Sequence, residues 1–275
     1  RNCKLKIEEI AALLLAISPW HLQFSRIAFE ANLGLFFFVA GIFFLIKSFS
    51  KPIFLPVSAA TFSLAIFSYH SLRLIIPLLV LIILTPKISW LKNNLKPTLA
   101  AGFITLVFLG LLLRVINQGA GQARLKTVSF LTIPTLLADS QRRVEASNYS
   151  VISRLVNHRY ITYLRQFVIG YTDHFSPTFL FIDSDGNPRH HADNFGLLYL
   201  IEAPFLIYGL IQVTKRHRSV AVIIIPWFLV APLASAVTSG TPSAVRSLFF
   251  LPVFQIFTAL GIGYSLEIRL IRSIR

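Results

Sequence analysis

Four arginines of this 275-residue chain, Arg26, Arg73, Arg189 and Arg246, stand in the polar stretches between long apolar runs. A guanidinium presents a rigid fork of donors that grips phosphate oxygens in pairs. Several of them beside a hydrocarbon layer point to a lipid-linked phosphate. Each has polar company. His21 and Glu30 accompany Arg26 in Ser18-Pro-Trp-His-Leu-Gln-Phe-Ser-Arg-Ile-Ala-Phe-Glu-Ala-Asn-Leu-Gly34. His70 precedes Arg73 in Ser68-Tyr-His-Ser-Leu-Arg73, and Asp185 and His190 flank Arg189 in the segment 175–191. Arg246 closes Thr238-Ser-Gly-Thr-Pro-Ser-Ala-Val-Arg246. The plain alternative is a helix-end arginine whose head snorkels to lipid headgroups, and for any one of the four alone it is the better reading. Arg246 is the exception, because it enters the last apolar run from a Gly/Pro/Ser-rich loop.

Glu30 and Glu202 are the carboxylates at the outer ends of apolar runs, where a charge marks a site unless it is paired. Arg26 and Glu30 are four apart, so they are expected to share a face of the second helix within its first turns. Glu202, in Leu-Tyr-Leu-Ile-Glu-Ala-Pro, reads as a structural partner for another helix. Pro19 should close the helix before it, and Trp20 and His21 have the amphipathic character of a membrane–water boundary. Asp183, Asp185 and Asn187 match the first ligand positions of a calcium loop. Pro188 stands where that loop needs Gly and Asn194 where it needs Glu. An Asp-Gly turn is therefore the better reading, and no metal ligand is assigned. His190-His191 with Asp193 could help hold a cation or a sugar hydroxyl, so a divalent cation is the one cofactor left open. No phosphate loop, nucleophile elbow or His-Glu-x-x-His motif occurs.

The elements that position these residues follow from composition. The chain is 55% hydrophobic and 13% charged, with 25 Phe, and its mean hydropathy is +0.69. A soluble domain carries roughly a quarter charged residues. Its apolar residues are gathered into about eight runs, at 7–18, 27–46, 53–69, 74–84, 98–116, 195–213, 220–237 and 248–264. The first and fourth fall short of the ~20 residues a span needs. An all-α, polytopic transmembrane bundle is expected, with membrane helices in 1–116 and 195–275 and a long extracytoplasmic loop over 117–194 between the fifth and sixth spans.

The net charge of +15 is distributed in short clusters between apolar runs, with no basic face for nucleic acid. Basic-rich and basic-poor connections alternate. Lys47 with Lys51, Lys87 with Lys92 and Lys96, and Lys215 with Arg216 and Arg218 mark one side. The turns holding Arg26, Arg73 and Arg246 mark the other, which the positive-inside rule makes extracytoplasmic. The loop should fold on that surface, with interfacial helices over 125–137 and 151–168 and a turn at Asp183-Ser-Asp-Gly-Asn-Pro. The one cysteine excludes an intrachain disulfide framework. The lack of any Met reads as an internal fragment with further helices upstream.

Taken together, Ser18-Pro-Trp-His…Phe24-Ser-Arg-Ile-Ala-Phe-Glu-Ala-Asn32, Tyr69-His…Arg73…Pro77, Ser176-Pro…Phe179-Leu-Phe…Asp185…Arg189-His190…Gly196-Leu-Leu-Tyr199 and Pro242…Arg246-Ser…Leu251-Pro resemble prokaryotic integral-membrane glycosyltransferases of the GT-C class. The branch is that of protein O-mannosyltransferases and lipid A aminoarabinose transferases. The resemblance implies transfer of a sugar from a polyprenyl-phosphate donor to an acceptor, at the outer face of the cytoplasmic membrane. It places the catalytic carboxylate in a first outer loop upstream of Arg1. It also implies that Arg26 and Glu30 lie near the donor or a metal, and that Arg246 contacts the donor phosphate. A polyprenyl-lipid flippase or another transporter is the rival reading, and would show inverted repeats or helices broken at mid-membrane. A structural membrane subunit would explain the topology, but not the arginines and histidines gathered on one side.

Overall fold

The computed structural model describes residues 6–117, 134–192 and 195–273. Its elements are α1 (Ile7–Ile17), α2 (Pro19–Arg26), α3 (Glu30–Ser48), α4 (Phe54–Ser68), α5 (Leu72–Leu84), α6 (Ile88–Asn93), α7 (Leu95–Asn117), α8 (Pro134–Ala146), α9 (Val151–Val156), α10 (Arg159–Asp173), α11 (Glu202–Arg216), α12 (Arg218–Val230), α13 (Leu233–Ala236) and α14 (Leu251–Ser273). No strand occurs among the described residues. Five stretches are long and apolar enough to cross a membrane: Glu30–Ser48, Leu72–Asn93, Leu95–Asn117, Arg218–Ala236 and Leu248–Leu266. The fourth expected run is longer than its sequence pattern, because a 3₁₀ turn at Thr85–Lys87 carries α5 on into α6.

The other three runs fall short. α1 has 11 residues, and α4 and α11 have 15 each. At 1.5 Å per residue, 15 residues extend roughly 22 Å against a hydrocarbon layer of ~30 Å. The run 195–213 is divided for a physical reason. Its first part is not helical, and a Cβ on Gly196 would overlap the Phe181 backbone. There the chain lies against other loops, with Leu198 N–H donating to Leu180 C=O at 2.8 Å.

α3 and α4 form an antiparallel pair. Phe44 stacks on Phe54, Phe38 packs on Phe62, and Ser58 Oγ–H donates to Gly41 C=O at 2.8 Å. α11 and α14 run parallel and touch through glycine. A Cβ on Gly209 would overlap the Phe257 carbonyl, and one on Gly261 the Phe205 carbonyl. Small residues let the two backbones approach this closely. α1 joins the same group, with Ile7 against Gly263. Trp20, Phe24, Phe38, Phe179, Phe249, Phe250, Phe254 and Phe257 are fully buried and are the largest side chains of a core otherwise built mainly of Leu, Ile, Val and Ala.

Following the helices in order separates the two ends of the bundle. Every described lysine (Lys6, Lys47, Lys51, Lys87, Lys92, Lys96 and Lys215) lies at one end. Contacts there join different connections, with Lys87 over the Phe49 ring and Phe49 against Trp90. The opposite end carries α2, the 69–71 turn, α8–α10 and the 174–201 and 237–247 segments. The helical spacing expected over 151–168 is realised as α9 and α10, separated at Asn157-His158. Most of the expected helix over 125–137 lies outside the described residues. α10 is fastened by Tyr171 O–H donating to Leu229 C=O at 2.9 Å and by Phe175 against Phe228 and Phe250.

Two local expectations need correction. Arg26 and Glu30 do not share a helix. α2 ends at Arg26, Ala28 turns the chain with φ of 54°, and α3 starts at Glu30. Both side chains are exposed, with no ion pair between them. Trp20 is not a boundary residue but core, at 0% exposure, with its Nε1–H donating to Ala244 C=O at 3.2 Å. Pro19 does end α1, at Ile17, and it also starts α2, where its missing N–H leaves no bond unmade.

Candidate functional site

The four polar stretches singled out in the sequence meet at the end of the bundle opposite the lysines. α2 touches two of the others. Trp20 N–H donates to Leu197 C=O, Trp20 Nε1–H to Ala244 C=O, and Gln23 Nε2–H to Arg189 C=O at 3.1 Å. The 69–73 turn joins through Tyr69, whose ring lies 5.8 Å from that of Phe249. Gly34 permits this approach, since a Cβ there would crowd Tyr69, Leu72 and Phe249.

At the centre is a buried pair. His190 Nδ1 lies 2.9 and 2.7 Å from the two Asp185 oxygens, with His190 7% and Asp185 9% exposed. The Asp-Gly turn supplies this carboxylate. Ser184 takes φ of 60°, and Asp185 Oδ1 accepts the Asn187 N–H at 3.2 Å. Asp185 Oδ2 also accepts the backbone N–H of Ala244 at 2.7 Å. The imidazole is held between the rings of Phe24 and Phe29, at 5.5 and 5.6 Å. Asn187 Nδ2 lies 3.4 Å from His190 Nε2.

Because both Asp185 oxygens accept protein hydrogens, the calcium-loop match is a turn in practice. Among the described residues no group of three or more His, Cys, Asp or Glu is gathered to hold a cation. Asp193, the third member of the His190-His191 grouping, lies outside them. The described donors do not fit a divalent cation.

An open cleft of about 310 Å³ lies between α2 and the 190–199 segment. Gln23, Arg26, His190 and His191 give it a polar side; Leu22, Phe195, Leu197 and Tyr199 give it an apolar one. Arg26 is exposed there, with Nη2–H donating to Gln23 Oε1 at 3.0 Å. His21 sits one turn back on α2, and its partial burial lowers its pKa below the ordinary histidine value. Arg189 is exposed nearby, with its guanidinium 5.6 Å from the centre of the Phe29 ring.

Arg246 also serves its own loop. Its Nη1 donates to Thr238 Oγ1 and to Ser239 C=O, both at 2.7 Å, and so holds the turn of its own loop. Glu30 is exposed at the start of α3, and His70 packs on Tyr69 with ring centres 4.4 Å apart. Glu202 is the structural partner expected of it. It is 3% exposed and accepts from Tyr199 N–H at 3.1 Å and from Thr258 Oγ1–H at 3.4 Å, tying α11 to α14.

His174 escaped the sequence reading, which began this segment one residue later, at Phe175. It is fully buried; Nδ1–H donates to Gly170 C=O at 2.6 Å, and Nε2 accepts the Ser243 N–H at 3.3 Å. Burial lowers its pKa to about 4, a shift that the nearby Arg246 charge deepens and that hydrogen bonds and Asp185 partly oppose. It is a neutral strut between α10 and the Arg246 loop. Its only sequence signal was a histidine at the foot of an amphipathic helix.

No protein-family model matches the chain, and no curated protein or solved structure is significantly similar to it. A functional reading therefore rests on the residues and their geometry.

Proposed function

We propose that the chain forms the donor-binding side of an integral-membrane glycosyltransferase of the GT-C type. In this reading it takes a sugar from a polyprenyl-phosphate donor and passes it to an acceptor at the extracytoplasmic face of a prokaryotic cytoplasmic membrane. The observation that carries the reading is the two-sided cleft at the end of the bundle remote from the lysines. Its polar side offers Arg26, whose guanidinium suits a phosphate; its apolar side suits the first units of a lipid chain. Clustered lysines favour the cytoplasm, which turns the cleft outward.

The eight helices that run between the two ends are read as eight crossings, with the short α1, α4 and α11 seated against longer neighbours. Arg26 is assigned to the donor phosphate, with Arg189 beside it. Arg246 shapes the loop that backs the site, and the sequence gives no sugar or acceptor. The main catalytic carboxylate implied by the resemblance is assigned to no residue of this sequence.

A binding measurement on the full-length protein in detergent tests this. Polyprenyl phosphate is expected to raise the unfolding midpoint of the wild type, and polyprenol of the same length is not. The shift should fall at least tenfold in apparent affinity in Arg26→Ala. Equal shifts with the alcohol would overturn the phosphate assignment. Flipping of the lipid in vesicles without release of sugar would favour the transporter.

A further inference from the structure

The glycosyltransferase reading leaves unassigned the group that takes the proton from the acceptor. We infer that His190 is a general base of the cleft and that Asp185 is its positioning residue; the inference rests on that reading. Three observations carry it. Asp185 grips Nδ1 with both oxygens, which fixes the hydrogen on that nitrogen and leaves Nε2 as the basic atom. Among the described residues, Nε2 has as its side-chain hydrogen-bond partner the Asn187 amide, a donor, at a long 3.4 Å. His190 also lines the cleft that holds Arg26, although the residue as a whole is almost buried.

A purely structural tie between loops would need only the carboxylate. Asp185 already joins the two loops through the Ala244 N–H, and His174 joins them again through Ser243. The imidazole adds a ring clamped by Phe24 and Phe29, aligned by a carboxylate and set in a cleft wall. That is how a base is held for proton transfer. The ionisable groups beside it are Asp185, which it pairs with, and Arg26 and His191, which share the cleft; His174 interacts with Asp185 from the α10 side.

The step balances without a further reagent. The acceptor hydroxyl oxygen forms a bond to the anomeric carbon as His190 Nε2 takes its proton. The bond from that carbon to the phosphate oxygen breaks, and the electron pair leaves with polyprenyl phosphate, whose added negative charge Arg26 faces. The imidazolium then returns its proton to water.

The test uses the full-length protein in vesicles containing polyprenyl-phosphate-linked sugar, with sugar transfer and polyprenyl phosphate binding measured side by side. His190→Ala should lose roughly 10²- to 10⁴-fold in turnover, the range of general base catalysis, and keep polyprenyl phosphate binding within threefold. Added imidazole should restore part of the rate, more at higher pH, where imidazole is unprotonated. Asp185→Asn should lower turnover and still bind the lipid. Full activity in His190→Ala would overturn the inference and leave the proton to another group. Joint loss of binding and turnover, with no rescue, would make the pair a loop tie and overturn it equally. A wild type that binds polyprenyl phosphate and transfers nothing would overturn the glycosyltransferase reading itself, and the inference with it.

Discussion

Asp185 Oδ2 accepts the backbone N–H of Ala244 at 2.7 Å, joining two loops 59 positions apart. The same carboxylate holds His190, so its removal leaves two buried donors without a partner. Each such orphan costs roughly 1–3 kcal/mol. Asp185→Ala should therefore lower stability by about 3 kcal/mol. Asp185→Asn keeps an oxygen for Ala244 and should lose less. Thermal unfolding in detergent measures both, and an unchanged midpoint in Asp185→Ala would show that the loops hold without this tie.

His174 gives stability a pH dependence whose sign is fixed by its burial. Its pKa is about 4 in the folded chain and near the ordinary 6.5 when unfolded. Between those values the unfolded state binds the extra proton, so stability falls as pH drops. The contribution is complete above pH ~6.5 and lost progressively toward pH ~4. His174→Gln should flatten the fall in unfolding midpoint between pH 6.5 and 5. The same slope in wild type and variant would assign the acid sensitivity to other groups.

The part of this architecture that was legible in the sequence was the part set by hydropathy and charge. Long apolar runs gave the spans Glu30–Ser48, Leu95–Asn117, Arg218–Ala236 and Leu248–Leu266 within a few residues, and the lysine clusters named one end of the bundle. Arginines and histidines chosen for their chemistry named the turns that meet at the other. What escaped was set by backbone geometry that hydropathy does not encode. The run 195–213 looked continuous because Phe195, Leu197 and Leu198 are apolar, yet they line loops and not a span. Arg26 and Glu30 lost their common helix to one residue, Ala28, in a left-handed turn. Trp20 was misplaced because its partner, the Ala244 carbonyl, is 224 residues away.

The α11–α14 crossing should tolerate no side chain at its contact. Gly209→Ala would drive a methyl into the Phe257 carbonyl, and Gly261→Ala one into that of Phe205. Backbone cannot step aside as a side chain can, so each should exceed the ~1–3 kcal/mol of ordinary overpacking. Gly102→Ala on α7 meets nothing within 4 Å and serves as the control. Comparable yields and unfolding midpoints in all three would mean that the two helices do not approach this closely.

The orientation of the bundle can be read by labelling single cysteines in the full-length protein, with Cys3 replaced by serine. If the lysine end is cytoplasmic, Lys6→Cys, Lys51→Cys, Lys92→Cys and Lys215→Cys should react with a membrane-impermeant maleimide only after permeabilisation. Ser25→Cys and Arg142→Cys should react on intact cells; the Arg142 side chain is 78% exposed. The pairs around short helices decide most. α1 has 11 residues, so Lys6→Cys and Ser25→Cys on one side of the membrane would remove it from the crossing set. Lys51→Cys and Ser25→Cys on one side would do the same for α3, and with it the separation of lysine and arginine ends. The cleft would then lack its outward assignment, since that rests on the lysines facing the cytoplasm. Opposite labelling of both pairs is the expected result, because α1 and α3 each carry the chain between the two ends and only the Pro19–Phe29 turn connects them.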